Sequence, residues 1–217
     1  MLAAARTRVK ICGLTRLEDV HAAAQAGADA IGLVMYSKSA RAVTVEHARA
    51  LRAAVPAFMS VVALFVNASE REVQEVIAQV RPDLLQFHGD ESPDYCQSFD
   101  HRYVRAFRVG APGLDNADAI LRQCSVYQSA SGWLFDSYSQ AYGGSGRTLD
   151  ISLLQAVQNA DDSRSIILAG GLTPESVGAS IQKLRPYAVD VSSGVEIAPG
   201  IKSPEKIRAF VAAAHGI

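Results

Sequence analysis

Short apolar runs alternate with amphipathic stretches along the whole chain, and the first pair sets the pattern. An apolar run that begins at Val9 leads to Cys12 and Gly13 within residues 9–14. Thr15 then offers a helix start, and small and apolar residues recur at helical spacing over residues 16–28. This pattern predicts a strand, a turn and a helix, with Cys12 at the carboxyl end of the strand.

The same unit recurs to the end of the chain. Its strands are continuous apolar runs, which are typical of strands covered on both faces. The eight predicted strands lie within residues 9–14, 29–35, 58–66, 83–88, 103–109, 133–136, 165–169 and 188–192. Predicted helices lie within residues 16–28, 45–55, 69–80, 92–99, 116–123 and 150–158, after residue 173, and over residues 204–215. Ser69 and Glu72 predict a capping box, and Thr173 is expected to cap a helix that Pro174 opens.

Alternating β and α units predict parallel strands joined by right-handed crossovers. Eight such units in 217 residues suit a closed (β/α)8 TIM barrel better than an open, doubly wound sheet. No linker or composition break divides them, so we expect one α/β barrel domain over residues 8–217 after a short N-terminal tail, residues 1–7. Neither a Gly-x-Gly-x-x-Gly after the first strand nor a Walker A motif is present, which argues against a nucleotide-binding fold of those kinds.

Composition and charge argue against several classes of partner. The net charge is -1 with Lys and Arg spread along the chain, unlike the basic footprint of a nucleic-acid binder or a polybasic membrane anchor. No run approaches the roughly 18 apolar residues of a membrane-spanning helix. Three widely spaced cysteines, at positions 12, 96 and 124, show no metal-ligand spacing. We therefore expect reduced thiols, a cytoplasmic location and no metal.

In a barrel of this kind the loops after the strands converge on the face where ligands bind. The polar residues at or just after the predicted strands are Cys12, Arg41, Gln86, His88, Arg108 and Asp136. Glycine-rich loops follow the last three strands, at residues 143–146, 169–171 and 192–194. Bare backbone beside a helix start suits a phosphate bound by amide N–H groups. We expect the last two loops to bind a phosphate and the first to close over it.

Five motifs in one order and spacing carry a family resemblance. They are Lys10-Ile11-Cys12-Gly13-Leu14, Gln86-Phe87-His88-Gly89, Phe135-Asp136 followed by Gly143-Gly144-Ser145-Gly146, Leu168-Ala169-Gly170-Gly171-Leu172, and Asp190-Val191-Ser192-Ser193-Gly194-Val195-Glu196. Over nearly the whole chain, the sequence resembles the phosphoribosylanthranilate isomerases of tryptophan biosynthesis. This resemblance implies an Amadori rearrangement of N-(5-phosphoribosyl)anthranilate to 1-(2-carboxyphenylamino)-1-deoxyribulose 5-phosphate. It implies a small-molecule phosphoribosyl substrate and neither a metal nor an organic cofactor. Nothing in the chain indicates an obligate protein partner.

The resemblance also implies roles for individual residues. Asp136 is the general acid that protonates the ribose ring oxygen, and Cys12 is the general base that removes a proton from C2. These roles call for a thiol that ionises readily, with help from Lys10 or local amides, and for a carboxyl that holds its proton. Arg41 matches an arginine expected to meet the anthranilate carboxylate, although the family's usual Ser-Pro-Arg is Ser39-Ala40-Arg41 here. The other expected substrate-binding residues are Gly144, Gly146, Gly170, Gly171, Asp190, Ser193 and Gly194.

The sequence leaves two alternative roles for each of three residues: His88, Arg108 and Asp190. His88 is either a hydrogen-bonded structural histidine or a proton shuttle. Arg108 either lines the pocket or pairs with a carboxylate such as Asp136. Asp190 either faces the amino nitrogen of the substrate or belongs to a network inside the barrel.

Two other functions fit part of the pattern. A histidine-pathway aminoimidazole ribonucleotide isomerase would share the phosphate loops, but such enzymes resemble a duplicated half-barrel with a pair of aspartates, and the first strand here ends in Cys12. A non-catalytic phosphosugar-binding barrel would keep the glycine loops and would need neither Cys12 nor Asp136.

Overall fold

The computed structural model describes residues 6–138, 149–160 and 163–216. Eight parallel strands lie side by side in chain order, and the last pairs with the first, so that the sheet closes into a barrel. The strands are β1 (Arg8–Cys12), β2 (Ala30–Val34), β3 (Ser60–Phe65), β4 (Leu84–Phe87), β5 (Tyr103–Val109), β6 (Gly132–Ser137), β7 (Ser165–Leu168) and β8 (Ala188–Val191). The helices between and after them are α1 (Leu17–Ala26), α2 (Val45–Ala53), α3 (Glu70–Val80), α4 (Pro93–Gln97), α5 (Ala117–Ser125), α6 (Gln155–Gln158), α7 (Val177–Leu184) and α8 (Pro204–His215). The predicted (β/α)8 barrel is confirmed.

The strands are buried on both faces, which explains their continuous hydrophobicity. Beneath the helices, β3 to β6 contribute large aromatic side chains that are at most 2% exposed: Phe65, Phe87, Phe107, Trp133 and Phe135. The rings of Phe107 and Phe135 stack with their centroids 5.6 Å apart. Because side chains alternate along a strand, the neighbouring residues Gln86, His88 and Asp136 point into the barrel.

Several helices begin with the predicted capping chemistry. The Ser69 hydroxyl accepts a hydrogen bond from the Glu72 N–H, and the Glu72 carboxylate accepts one from the Ser69 N–H at 2.7 Å, so the capping box is present. Asn116 caps α5 through its side chain. Ser203 caps α8, and Pro204 occupies its first position.

Two predicted helix starts are wrong. The N-cap of α1 is Arg16, and the Thr15 hydroxyl instead donates to the Gly200 carbonyl at 2.5 Å. Helix α7 begins only at Val177, and the Thr173 N–H donates to the Ser176 hydroxyl at 3.0 Å within the preceding turn. In both places the threonine hydroxyl donates elsewhere, from Thr15 to the Gly200 carbonyl and from Thr173 to the Ser176 hydroxyl at 3.4 Å, and does not cap the helix.

Some short elements differ from the predicted pattern or are absent from it. The helix expected within residues 150–158 is a 3-10 turn, Ile151–Leu154, followed by the single α-helical turn of α6. After β8, a 3-10 turn, Ser193–Val195, leads into a two-stranded antiparallel hairpin of β9 (Glu196–Ala198) and β10 (Ile201–Lys202). These strands are too short to stand out as apolar runs. Within the described ranges, no helix has the length and hydrophobicity needed to cross a membrane.

Candidate active site

The carboxyl ends of β1–β4 and β6–β8 surround one cleft at the top of the barrel. The cleft encloses about 760 Å³, counting the part that opens to solvent. Its lining includes Cys12, Arg41, Asp136, Gly170, Gly171, Asp190, Ser193 and Gly194. The structure therefore brings together every predicted site residue in its described part. Gly144 and Gly146 lie outside the described residues.

Cys12 and Asp136 face the cleft from different strands. Cys12 ends β1 and is 5% exposed, and the Asp136 side chain on β6 is 15% exposed. Only β7 and β8 separate these two strands on the short way round the barrel. The glycine loops that follow β7 and β8 therefore lie on the rim between the two side chains.

A buried ion pair lies directly beneath Cys12. Lys10 and Asp190 are opposite each other in the register of β1 and β8, and Lys10 Nζ donates to Asp190 Oδ1 at 2.9 Å. Both residues are almost fully buried, at 7% and 8% exposure. The attraction between the two charges compensates for their desolvation, which would be costly for either charge alone. Asp190 thus belongs to a network inside the barrel, as one of its two alternatives predicts, and it also lines the cleft. That it faces the amino nitrogen of the substrate stays a prediction.

Burial and charge act in opposite directions on Cys12. Burial raises the pKa of the Cys12 thiol, Lys10 opposes this rise, and Asp190 adds to it, with a net increase. For Lys10, burial disfavours the ammonium, but Asp190 and then Cys12 outweigh it and hold the pKa of Lys10 above its usual range. The expected assistance from Lys10 is therefore present, although burial outweighs it at the thiol.

The loops after β7 and β8 present unoccupied amide N–H groups. Among the described residues, none accepts a hydrogen bond from the amides of Gly170, Gly171, Ser193 or Gly194. Glycine is required in both loops: Gly170 has φ +84°, and a Cβ on Gly194 would overlap the Leu172 carbonyl. The two loops thus pack backbone against backbone at one part of the rim, and these four amides have no acceptor within the described residues.

Asp136 has a histidine neighbour. His88 Nε2 lies 3.4 Å from Asp136 Oδ2, and His88 Nδ1 lies 3.2 Å from Gln86 Nε2. The first contact has ion-pair distance but lacks hydrogen-bond alignment, and within the described chain Nε2 has no hydrogen-bond partner. His88 therefore stands beside the proposed acid with one ring nitrogen unsatisfied.

Arg41 is held by a residue that sequence reasoning did not single out. Arg41 Nε and Nη2 both donate to the Glu196 carboxylate at 2.7 Å, in a bidentate pair. The Arg41 stem crosses Gly13, where a Cβ would lie 2.5 Å from Arg41 Cδ. The pair joins the loop after β2 to the hairpin after β8.

Lys202, which is 0% exposed, completes this group of charges. Its Nζ donates to Glu196 Oε1 at 2.7 Å and to the Ser192 carbonyl at 3.1 Å. Burial lowers the pKa of Lys202, and Glu196 opposes the fall. Burial raises the pKa of Glu196, but Arg41 and Lys202 outweigh it and bring the pKa below its usual value. Glu196 stands in a motif of the sequence, whereas nothing there marks Lys202.

One wall of the cleft is apolar. Cys12, Val34, Leu64 and Val66 form a buried cluster with Tyr36 packed against it. This wall lies on the β1 to β3 side, below the loop that carries Arg41. The cleft therefore runs from amide donors over β7 and β8 to an apolar surface with a cation at its edge.

A family model described as N-(5'-phosphoribosyl)anthranilate (PRA) isomerase matches residues 9–213. The chain belongs to the phosphoribosylanthranilate isomerase family. Curated isomerases from Bordetella bronchiseptica and Pseudomonas savastanoi are 57% and 52% identical, over 98% and 96% of this chain and 97% and 98% of theirs. The family and the isomerase function predicted from the motifs are confirmed.

Solved structures of phosphoribosylanthranilate isomerases have the same fold. That from Thermotoga maritima is 38% identical with a TM-score of 0.88, covering 97% of this chain and 100% of its own. Another, 35% identical with a TM-score of 0.84 and the same coverage, is a complex with reduced 1-(o-carboxyphenylamino)-1-deoxyribulose 5-phosphate. These comparisons lend no support to the histidine-pathway or non-catalytic alternatives.

Arg108 and the two remaining cysteines, Cys96 and Cys124, lie outside the cleft of this isomerase. Arg108 pairs with Asp90 at 2.8 Å, so the carboxylate that pairs with it among the described residues is Asp90 and not Asp136. Cys96 and Cys124 are unpaired and fully buried. Burial raises the pKa of Cys96 to about 12 and raises that of Cys124 as well, so both thiols are inert at neutral pH.

Gly170→Ala is expected to lower kcat/KM by roughly 10-fold or more, because small displacements of reacting groups are costly. A Cβ there would lie 2.5 Å from the Ser137 N and 2.9 Å from Asp136 Oδ1, so Asp136 must move. Gly113→Ala is the matched control, since Gly113 has a similar φ of +81° and nothing within 4 Å. Steady-state kinetics on phosphoribosylanthranilate check this, and equal activity of the two variants would contradict it.

Lys10→Met is expected to move the alkylation of Cys12 to higher pH by roughly one unit or more, because the charge that favours the thiolate is lost while Asp190 remains. The measurement is the rate of iodoacetamide modification of the Cys12 peptide against pH, by mass spectrometry. Lys38→Met, at an exposed loop position, is the control. An unchanged midpoint in Lys10→Met would show that Lys10 does not act on the thiol.

Proposed function

We propose that this chain catalyses the cofactor-free Amadori rearrangement of N-(5'-phosphoribosyl)anthranilate, with Asp136 as general acid and Cys12 as general base. The product is 1-(2-carboxyphenylamino)-1-deoxyribulose 5-phosphate. One observation carries the proposal: these two groups share a cleft that has amide donors at one end and an apolar wall with Arg41 at the other. The groups of the substrate match these parts of the cleft in the same order: a phosphate, then a ribose, then an aromatic ring with a carboxylate. The relative solved with a reduced product supports a ligand of this class.

The phosphate is proposed to bind at the loops after β7 and β8. Amide groups of Gly170, Gly171, Ser193 and Gly194 face this part of the rim without protein acceptors in the described chain. Backbone N–H groups clustered in this way form anion sites, and the loops after the seventh and eighth strands are the usual phosphate position in such barrels. The ribose then extends toward the strands that carry Asp136 and Cys12.

The anthranilate ring is proposed to lie on the apolar wall with its carboxylate at Arg41. Arg41 and Lys202 carry positive charge and Glu196 carries negative charge, so the three residues together have a net charge of about +1. Without Lys202, the Glu196 carboxylate would neutralise Arg41. With it, the mouth of the cleft keeps a positive charge that attracts the carboxylate of the substrate.

The chemistry divides into two proton transfers. As the bond between C1 and the ring oxygen breaks, Asp136 gives its proton to that oxygen and becomes a carboxylate, and the nitrogen lone pair forms the double bond of a protonated Schiff base. The Cys12 thiolate then takes the C2 proton and becomes a thiol, and the electron pair of that bond forms the enolamine. Tautomerisation of the enolamine gives the ketone. Lys10, beside Cys12, is the cation that favours the thiolate.

We further propose that residues 8–217 form a single catalytic domain and that residues 1–7 are a short tail. Arg6 in this tail is paired with Asp29 at 2.6 Å, which anchors its carboxyl end to the barrel. A cytoplasmic location belongs to the same proposal, because the three cysteines are unpaired, as is usual in a reducing compartment.

The experiment that tests the proposed function is turnover of phosphoribosylanthranilate generated in situ, followed by its fluorescence. Turnover is expected at a rate that EDTA does not change. No turnover above the buffer rate would overturn the assignment, and loss of activity in EDTA would overturn its cofactor-free character.

Cys12→Ala and Asp136→Asn are each expected to lower kcat by roughly 10²- to 10⁴-fold, the usual contribution of a general acid or base. Circular dichroism checks that both variants are folded. Asp118→Asn, at an exposed position in the first turn of α5, is the control. If either catalytic variant keeps a kcat near that of the wild type, its residue has no part in the mechanism.

Arg41→Ala is expected to raise KM roughly 10- to 100-fold with a small change in kcat, because hydrogen bonds to the substrate carboxylate are lost. Arg52→Ala, which removes an arginine paired with Asp83 away from the cleft, serves for comparison. Should KM stay the same in Arg41→Ala, another group binds the carboxylate.

A further inference from the structure

His88 has an unsatisfied ring nitrogen inside the cleft. Its side chain is 8% exposed, and within the described residues its Nε2 is buried without a hydrogen-bond partner. Buried polar atoms are nearly always paired, so an unpaired one on the wall of a cleft indicates a partner that is gained during function. The Asp136 carboxylate is the charged group beside it, with Oδ2 at 3.4 Å.

Gln86 determines which ring nitrogen of His88 carries the proton. The Gln86 Nε2 lies 3.2 Å from His88 Nδ1. An amide nitrogen donates and does not accept, so the neutral ring accepts at Nδ1 and carries its own proton on Nε2. The N–H group at Nε2 is therefore the one that lies beside Asp136, although the two are not aligned as a hydrogen bond in this structure.

The two oxygens of Asp136 have different surroundings. Oδ2 is near His88, whereas Oδ1 is 2.9 Å from the position that a Cβ on Gly170 would take. Oδ1 therefore lies toward the phosphate end of the cleft. This division leaves Oδ1 for the proton that goes to the substrate and Oδ2 for His88.

We infer that His88 is a positioning residue for Asp136, held by Gln86 in the tautomer with the proton on Nε2. The inference rests on the proposed role of Asp136 as general acid. When Asp136 gives its proton to the ring oxygen, Nε2–H donates a hydrogen bond to Oδ2 of the carboxylate that remains. No proton moves to or from His88. The buried Nε2–H donor thereby gains an acceptor, and the partly buried Asp136 carboxylate gains a donor.

His88→Leu is expected to lower kcat roughly 10- to 100-fold, as for the loss of a hydrogen bond to a charged group, with KM changed less than about twofold. His88→Gln, whose amide N–H takes the place of Nε2–H, is expected to restore part of the rate. His47→Leu, at an exposed position of α2, is the control, and circular dichroism checks folding. A wild-type kcat in His88→Leu, or an effect confined to KM, overturns the inference.

The double variant His88→Leu/Asp136→Asn separates this inference from the proposed function. If His88 acts through Asp136, the double variant is no slower than Asp136→Asn alone. Losses that multiply overturn the role of His88 and leave Asp136 as the acid. A wild-type rate in Asp136→Asn overturns the proposed acid itself.

The tautomer gives a readout that does not depend on activity. Nitrogen-15 NMR of the folded protein is expected to show the neutral His88 ring protonated on Nε2, and a proton on Nδ1 overturns the inference.

Gln86→Glu replaces the amide donor with a carboxylate that accepts from Nδ1. The proton is then expected to move to Nδ1 and kcat to fall as in His88→Leu, whereas a moved proton with a wild-type kcat contradicts the inference.

Discussion

Closure of the barrel between β8 and β1 is the constraint on which the site depends. The register of this pair sets Lys10 opposite Asp190, and the two charges meet inside the barrel at 2.9 Å. A slip of β1 by one residue would turn Lys10 outward, into the apolar layer beneath the helices, and leave Asp190 inside the barrel without its partner, so that neither desolvation would be compensated. The same register directs Cys12, two residues after Lys10, into the cleft. The ion pair therefore favours the one register that builds the site.

The strand order explains why the phosphate loops lie where they do. Cys12 and Asp136 are on β1 and β6, and the strands between them on the short way round are β7 and β8. Loops whose amides have no acceptor within the described residues thus lie on the rim between the proposed base and acid. In the proposed binding mode, a sugar phosphate anchored there extends over the middle of the barrel, within reach of both groups. The apolar wall on β2 and β3 lies across the barrel mouth and takes the remaining, aromatic part of the molecule.

Much of this arrangement is predictable because a strand covered on both faces is a continuous apolar run. The bounds of β5, Tyr103–Val109, and α8, Pro204–His215, coincide with their predicted ranges. The residues at strand ends follow from the same pattern. Glu196 is different, because its partner Arg41 lies 155 positions away and neither local spacing nor hydrophobicity links them. The predicted cap at Thr173 fails for a related reason, since a turn hydrogen bond competes with the helix start.

In the loop that carries Arg41, a long-range ion pair with Glu196 holds the arginine in place of the local prolines that the family usually has. The resemblance leads one to expect prolines before this arginine, and prolines restrict a loop mainly by limiting its unfolded conformations. This chain has Ser39-Ala40-Arg41 there. Two hydrogen bonds to Glu196 instead fix the plane of the guanidinium, and they exist only when the hairpin after β8 is folded. The hairpin is therefore part of the proposed substrate site, and Lys202 within it keeps the charge of Arg41 from being cancelled.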